Sequence, residues 1–204
     1  MGLRRELFGP SKAEIWSQLS QEIGASYQES GFFKTGKVVL THRQWEITLD
    51  TYTVSDGKSS HTYTRIRAPY LNRDGFRFNI YRRNIFSWVG KLFGMQDIEI
   101  GDSFFDDGFI IQGKPEYLVQ QLLMNSEIRQ HIQAQPAIHL QVKDDEGWFG
   151  KKFPEGVDEL YFQTYGVIKD KERLKELFDL FSLVLDELCR LGSAYEKEPG
   201  VTST

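Results

Sequence analysis

Clustered carboxylates are the first feature of this sequence that could carry out chemistry. Five acidic side chains and no basic one fall within residues 97–107, and a second acidic cluster follows at 144–146. Ca²⁺ and Mg²⁺ prefer oxygen ligands, so these clusters could bind a divalent metal ion and serve a hydrolase. The candidate ligands are Asp102, Asp106, Asp144 and Asp145. Their spacing differs from that of the calcium loop D-x-[DN]-x-[DN]-G, and turn hydrogen bonds made by the same aspartates are the alternative interpretation.

Basic residues are concentrated in a different part of the chain. Residues 61–91 contain seven basic side chains and one acidic side chain. Arg65 and Arg67 share one face of a predicted strand because side chains alternate along it, and Arg77 lies on another predicted strand. If these two strands pair, their arginines and tyrosines form one surface that would hold phosphate or single-stranded nucleic acid. The alternative is that the acidic turns neutralise these basic side chains within the fold. The net charge of -4 favours this alternative.

Aromatic residues supply candidates for binding. Residues 85–93 include Trp88 and predict a short helix that is apolar nearly all round. A second candidate is the pair Trp148 and Phe149, which follows the second acidic cluster. Exposed aromatic side chains would mark a surface for self-association or for a protein partner. Burial in the core is the alternative at both places, since covering such side chains stabilises a fold by several kcal/mol at about 25 cal/mol per Å². Contact with a membrane interface is a third interpretation of residues 85–93.

Several kinds of chemistry have no supporting motif. The sequence contains no GxSxG, no P-loop and no GxGxxG, which are typical of acyl transfer, nucleotide hydrolysis and dinucleotide binding. Its four histidines show neither an i, i+4 pair nor HExxH, so zinc is not predicted. Cys189 is the single cysteine and lies in an apolar helical pattern. One cysteine cannot form a disulfide within the chain. The sequence therefore predicts no cofactor and assigns no catalytic residue.

Hydrophobic patterns predict the elements that would position these candidates. A capping box at Ser11 and Glu14 precedes a predicted helix over 12–23. Alternating apolar residues separated by short turns predict a meander of about four strands between 32 and 83. Longer apolar stripes predict helices over 116–133 and 171–191. The predicted order is α-ββββ-α-β-α-ββ-α.

Strands that come in runs rather than alternating with helices are typical of the α+β class. The sequence therefore predicts a single α+β domain over residues 11–192, a mostly antiparallel sheet with the two long helices packed on one face. Residues 1–10 are expected to form an N-terminal extension, and residues 193–204 a flexible tail.

The stretch 101–109 reads G-D-S-F-F-D-D-G-F and joins a strand-rich half to a helix that carries paired leucines. This arrangement resembles bacterial domains of unknown function that contain a G-D-x-x-F-D-x-x-F turn. The resemblance covers residues 60–190 and implies a shared α+β scaffold, with no activity, cofactor or catalytic residue attached. This chain departs from some of those proteins because its sequence has no membrane-spanning segment.

Composition and targeting patterns narrow the function classes. No secretory signal is recognisable, so a cytoplasmic location is expected. The acidic net charge argues against a general nucleic-acid binder. We therefore expect a non-enzymatic module that binds a ligand or a protein partner, or forms a homo-oligomer. The alternatives are a divalent-metal-dependent hydrolase and a phosphate-binding or nucleic-acid-binding protein.

Overall fold

Antiparallel strand pairing dominates the structure. The computed structural model describes residues 9–29, 36–83, 97–144 and 153–200 of the 204-residue chain. In these residues nine strands form one sheet in the order β1-β2-β3-β4-β8-β7-β5-β6, and β9 pairs with β4. Neighbouring strands are antiparallel throughout. The predicted α+β class with a mostly antiparallel sheet is confirmed.

The strands are β1 (Ser26–Gln28), β2 (Lys37–His42), β3 (Trp45–Ser55), β4 (Ser60–Asn72), β5 (Arg77–Arg82), β6 (Phe109–Lys114), β7 (His139–Lys143), β8 (Val157–Tyr165) and β9 (Ala194–Tyr195). The helices are α1 (Lys12–Glu22), α2 (Ser103–Gly108), α3 (Glu116–Met124), α4 (Ser126–Ala134) and α5 (Lys171–Arg190). No helix among the described residues combines the length and the apolar character needed to cross a bilayer.

The strand register collects apolar side chains into one row across the sheet. The paired residues of this row are all apolar: Val38, Leu49, Ile66, Phe162, Leu140, Ile80 and Ile111. They belong to a single core cluster that also contains the buried apolar side chains of α1, α3, α4 and α5. One side of the sheet therefore carries the hydrophobic core, because side chains on neighbouring positions of a strand point to opposite sides.

Helix α5 shows most clearly how the sequence specifies this core. Asp170 caps its N-terminus by accepting a hydrogen bond from the amide of Arg173. Its apolar stripe, which includes Leu174, Leu177 and Phe181, is buried in the core cluster. The helix contacts α1, α3 and α4, so helices from both halves of the chain pack against it.

The helix predicted over 116–133 is two helices rather than one. Asn125 separates α3 from α4 in an extended conformation, with ψ of 111°. Its side chain accepts hydrogen bonds from the amides of Glu127 and Ile128 and so caps α4. Because an asparagine cap satisfies the first amides of a new helix, the break is favourable although the apolar spacing continues across it.

The sheet order also differs from the expected meander. β2, β3 and β4 follow one another as predicted, but β5 does not pair with β4, because β8 and β7 lie between them. Residues 194–195, which were expected in a flexible tail, form β9 and pair with Leu71 and Asn72 at the end of β4. Five sequence-based expectations fall wholly or mostly outside the described residues: the N-terminal extension over 1–10, the helix over 85–93 with Trp88, and the placement of Asp145, Trp148 and Phe149.

Candidate ligand-binding face

A polar layer lies on the side of the sheet opposite the core row. The register places Arg67, Tyr161, Gln141, Asn79 and Gln112 side by side across β4, β8, β7, β5 and β6. We call this side the polar face. The members discussed below are Asp50, Tyr52, Tyr63, Arg65, Arg67, Asn79, His139, Lys143, Glu159, Tyr161, Gln163 and Tyr165.

Several side chains of the polar face are buried although they are polar. Arg67 is 3% exposed, Glu159 is 1% exposed and Tyr161 is 5% exposed. Burying a polar or charged group is costly unless hydrogen bonds or opposite charges replace its hydration. The polar face is therefore an ordered layer whose side chains must be matched to one another or to a bound molecule.

Asp50 links two arginines in this layer. Its carboxylate accepts from Arg65 Nε at 2.5 Å and Nη2 at 3.1 Å, and from Arg67 Nη2 at 2.8 Å. Side-on contact between a guanidinium and a carboxylate is the strong, charge-assisted form of a hydrogen bond. Both guanidinium groups are thus held by one carboxylate within the sheet.

Glu159 and Lys143 form the second charged pair, on adjacent strands. The Lys143 ammonium lies 3.5 Å from Glu159 Oε2 and 3.6 Å from the centre of the Tyr161 ring. Burial raises the pKa of Glu159 above its usual value, and the charges of Lys143, Arg67 and Arg65 offset part of that rise. We call Asp50, Arg65, Arg67, Lys143 and Glu159 the charged cluster.

Two tyrosines converge on one amide beside the charged cluster. Tyr52 donates its hydroxyl proton to Gln163 Oε1 at 2.6 Å, and Tyr161 donates to the same oxygen at 3.0 Å. Burial raises the pKa of both phenols, most strongly that of Tyr161. Both tyrosines are therefore neutral hydrogen-bonding groups near pH 7, and Gln163 fixes their orientation.

His139 is held at the other side of the polar face. Its Nε2 lies 2.8 Å from Asn79 Oδ1, and its ring meets the Tyr81 ring edge-on at 5.9 Å between centroids. Burial, with a smaller contribution from the charge of Lys143, lowers the pKa of His139 to about 4. The imidazole is therefore neutral near pH 7 and acts as a fixed hydrogen-bonding group.

The polar face opens to solvent at its outer end through three tyrosines. The Tyr52 and Tyr63 rings stack at 5.3 Å, and Tyr165 meets Tyr63 edge-on at 5.7 Å. Tyr165 is 65% exposed, whereas Tyr52 and Tyr63 are half-buried. The guanidinium of Arg65 lies 4.9 Å from the centre of the Tyr52 ring. We call Tyr52, Tyr63 and Tyr165 the tyrosine ladder; it joins an exposed aromatic surface to the buried charged cluster.

The three arginines predicted to share a basic surface are not brought together. Arg65 and Arg67 share a face, as expected, but both are paired with Asp50. Arg77 lies beyond β8 and β7, where it pairs with Asp144 at 3.0 Å and Asp158 at 3.2 Å. The expected basic surface depended on pairing between β4 and β5, which the register does not contain.

The described carboxylates of the predicted metal site are also separated. Asp102 caps α2 through the amide of Phe105 at 3.2 Å, and Asp106 accepts from two backbone amides. Arg83 reaches the main-chain oxygen of Asp106, while Arg77 at the other end of β5 pairs with Asp144. Arg83 directly follows β5, so the five residue steps of the strand already place the two arginines on the order of 17 Å apart. Among the described residues no group of histidine, cysteine, aspartate or glutamate is arranged to hold a metal ion.

Sequence reasoning missed the residues that organise the polar face. Asp50 lies in the predicted strand pattern of β3, but nothing local identifies it as the partner of Arg65 and Arg67. Glu159 and Gln163 alternate with Leu160 and Phe162 on β8, which is a usable signal for the two sides of a strand. Only the register between distant strands shows which polar side chains meet.

Comparisons with known proteins returned no match. No family model matches the chain, and neither the curated proteins nor the solved structures contain a significant match. The resemblance to bacterial domains with a G-D-x-x-F-D-x-x-F turn therefore stays a prediction. The geometry of the polar face is therefore the basis for inferring a function.

Proposed function

We propose that the chain is a non-enzymatic binding module that recognises an uncharged, hydroxyl-rich ligand whose ring has an apolar face, as the sugar rings of carbohydrates do. In this proposal the chain is a single α+β domain whose helices cover the core side of the sheet, and the ligand binds at the tyrosine ladder, where the polar face is exposed. The observation that carries the proposal is the tyrosine ladder, which presents one exposed and two half-buried aromatic rings beside a charged cluster whose members bond to one another.

The chemistry of the tyrosine ladder favours a ring-shaped ligand. An aromatic ring offers an apolar face, while the phenol oxygen offers a hydrogen-bonding tip. A sugar ring has matching features, because its C–H groups form an apolar face and its hydroxyls form a polar edge. Tyr165 supplies the most exposed ring, and Gln163 and Tyr52 lie directly inward from it.

The charged cluster argues against a polyanionic ligand. Proteins that bind single-stranded nucleic acid follow its phosphates with basic side chains and lose affinity steeply with salt. Here Asp50 already accepts hydrogen bonds from both Arg65 and Arg67, so a phosphate group would have to compete with that carboxylate for their donors. A neutral ligand does not have to compete with that carboxylate.

The hydrogen-bond pattern favours binding over catalysis. Tyr52 and Tyr161 both donate to Gln163, and His139 is held by Asn79 in its neutral form. These bonds orient side chains as a fixed surface rather than pairing a nucleophile with a base. The proposal therefore retains the ligand-binding module expected from the sequence and does not retain the metal-dependent hydrolase.

Titration calorimetry with neutral trisaccharides tests this proposal. Maltotriose, cellotriose and chitotriose serve as probes, and inorganic phosphate and decathymidylate serve as anionic comparisons. We expect at least one trisaccharide to bind, with affinity that is insensitive to salt. Tyr63→Ala or Tyr165→Ala should weaken it about tenfold, since covering on the order of 50 Å² of apolar ring surface contributes about 1.3 kcal/mol. Tyr117→Ala is the matched control, because Tyr117 is an exposed tyrosine on α3.

Two results would contradict the proposal. The first is the absence of trisaccharide binding at millimolar concentration. The second is salt-sensitive binding of decathymidylate or phosphate that the tyrosine variants leave unchanged. Homo-oligomer formation, docking of a protein partner at Trp88 or Trp148 and a cytoplasmic location stay predictions of the sequence.

A further inference from the structure

A cavity of about 280 Å³ lies on the core side of the sheet, where β5 ends. Its lining residues are Arg82, Phe104, Asp107, Gly108, Phe109 and Gln133. We call it the α2 cavity, because three of these residues belong to α2. Phe109 is part of the core cluster, so the cavity and the polar face are on opposite sides of the sheet. Its volume is close to the lower end of the range for small-molecule sites, roughly 300–1,000 Å³.

Arg82 brings a fixed positive charge to the α2 cavity. Its Nε donates to the main-chain oxygen of Gln135 at 2.7 Å, and its Nη2 donates to that of Gln133 at 2.5 Å. The guanidinium also lies 4.8 Å from the centre of the Phe109 ring. These contacts fix the side chain, but no carboxylate pairs with it in the part of the chain that the structure describes. Its remaining donor, Nη1, can therefore form a charge-assisted hydrogen bond with a carboxylate of a ligand.

An acidic side chain and a neutral amide line the same cavity. Asp107 is exposed and Gln133 is half-buried, and neither side chain makes a hydrogen bond or an ion pair within the described ranges. A purely anionic ligand would be repelled by Asp107, and a purely cationic ligand would be repelled by Arg82. The two charges together therefore favour a ligand that carries both a carboxylate and an ammonium group.

Phe104 adds an apolar surface to the α2 cavity. Its side chain is 75% exposed, whereas the neighbouring Phe105 is buried and stacks on Phe109 at 4.5 Å between ring centroids. Gly108 has no side chain, and open space lies where one would project. An aromatic ring beside a few convergent polar groups is the usual composition of a small-molecule site. The exposed ring would be covered by an apolar part of the ligand.

We propose that the α2 cavity binds a free amino acid with an apolar side chain. The carboxylate of the amino acid bonds to Arg82, its ammonium group faces Asp107, and its side chain packs on Phe104. An α-amino acid fits because both charged groups are attached to one carbon and the apolar group extends away from them. A peptide terminus carries only one of these charges beside its last residue. This second site goes beyond the tyrosine ladder and does not depend on the proposed function.

Titration calorimetry of the full chain with L-phenylalanine and L-leucine tests the α2 cavity. The comparison compounds are 2-phenylethylamine, which lacks the carboxylate, and 3-phenylpropanoate, which lacks the ammonium group. We expect at least one of the two amino acids to bind at millimolar concentration. 2-Phenylethylamine should bind at least tenfold more weakly than L-phenylalanine, as for the loss of a hydrogen bond to a charged group. 3-Phenylpropanoate should bind about threefold more weakly, since the lost ion pair with Asp107 is exposed.

Three variants assign these effects to residues. Phe104→Ala should weaken amino-acid binding about tenfold, the effect of uncovering on the order of 50 Å² of apolar surface. Asp107→Asn should weaken it about threefold, and Arg82→Gln about tenfold or more. Phe104 and Asp107 are exposed, so their variants keep the test decisive if Arg82→Gln does not fold.

The matched controls are Tyr117→Ala and Asp179→Asn, at exposed positions of α3 and α5 that do not line the cavity. Both should bind the amino acids with the affinity of the parent protein. Absence of binding by both amino acids would overturn the proposal, as would parent-like affinity in Phe104→Ala together with Asp107→Asn. Binding of 3-phenylpropanoate as tight as that of L-phenylalanine would overturn the requirement for both charges. Binding or non-binding of trisaccharides leaves each of these outcomes unchanged.

Discussion

Buried His139 should make the fold sensitive to acid. The imidazole is 6% exposed, lies against Tyr81 and is hydrogen-bonded to Asn79. Burial, and to a smaller extent the charge of Lys143, lowers the pKa of His139 from 6.5 to about 4. The folded protein therefore takes up this proton less readily than the unfolded chain does.

The direction and size of the effect follow from the linkage between proton binding and folding. Above the unfolded pKa the imidazole is neutral in both states, and its full contribution to stability is present. As the pH falls from 6.5 towards about 4, the unfolded chain binds a proton that the folded protein does not, so the free energy of unfolding decreases. At roughly 1.36 kcal/mol per pKa unit, this difference amounts to about 3 kcal/mol.

Urea denaturation of the parent protein and of His139→Gln, each near pH 7 and near pH 4, measures this contribution. Other groups also titrate in this range, but subtracting the two pH dependences isolates His139. We expect the parent protein to lose about 3 kcal/mol more than the variant. His131→Gln, at a half-exposed histidine on α4, controls for replacing a histidine. Equal pH dependences for the parent and His139→Gln would refute the reasoning.

Three further perturbations test the remaining parts of the structure. Asp50→Asn should destabilise the fold by about 3–5 kcal/mol in thermal or urea unfolding, because it leaves the buried guanidinium of Arg67 without its carboxylate; a loss below 1 kcal/mol would show that the pair is not buried as described. Asn125→Ala should cost about 1 kcal/mol through loss of the α4 cap, measured in the same way, and Asn125→Ser should restore most of it. Glu159 has a raised pKa, so its contribution to stability is present at low pH and is lost as the pH rises through its folded pKa. Glu159→Gln should therefore flatten the decline of unfolding free energy above the usual glutamate range, and an unchanged slope would contradict that assignment.

Local patterns were sufficient to predict much of the scaffold. Ser11 and Glu14 form the expected capping box on α1, and the stripe from Leu174 to Leu188 forms the buried side of α5. Both features depend on residues within a few positions of one another, which a sequence displays directly. Alternation likewise identified β3, β4 and β8 and the α+β class.

Longer-range features could not be predicted from the same patterns. The insertion of β8 between β4 and β7 depends on pairings such as that of Ile66 with Phe162, which are nearly a hundred residues apart in the sequence. That insertion separates Arg77 from Arg65 and brings Gln163 beside Tyr52. The composition of the polar face is therefore a consequence of register, and a local charge count directs attention to the wrong residues.

The most direct test of the ligand-binding proposal is a nuclear magnetic resonance titration of the isotope-labelled chain with cellotriose, maltotriose and chitotriose. The proposal predicts that, for at least one of them, amide shifts concentrate on β3, β4 and β8 around Tyr63, Gln163 and Tyr165. Shifts confined to the helices, or no shift with any of the three at millimolar concentration, would contradict the assignment of the polar face as the binding surface.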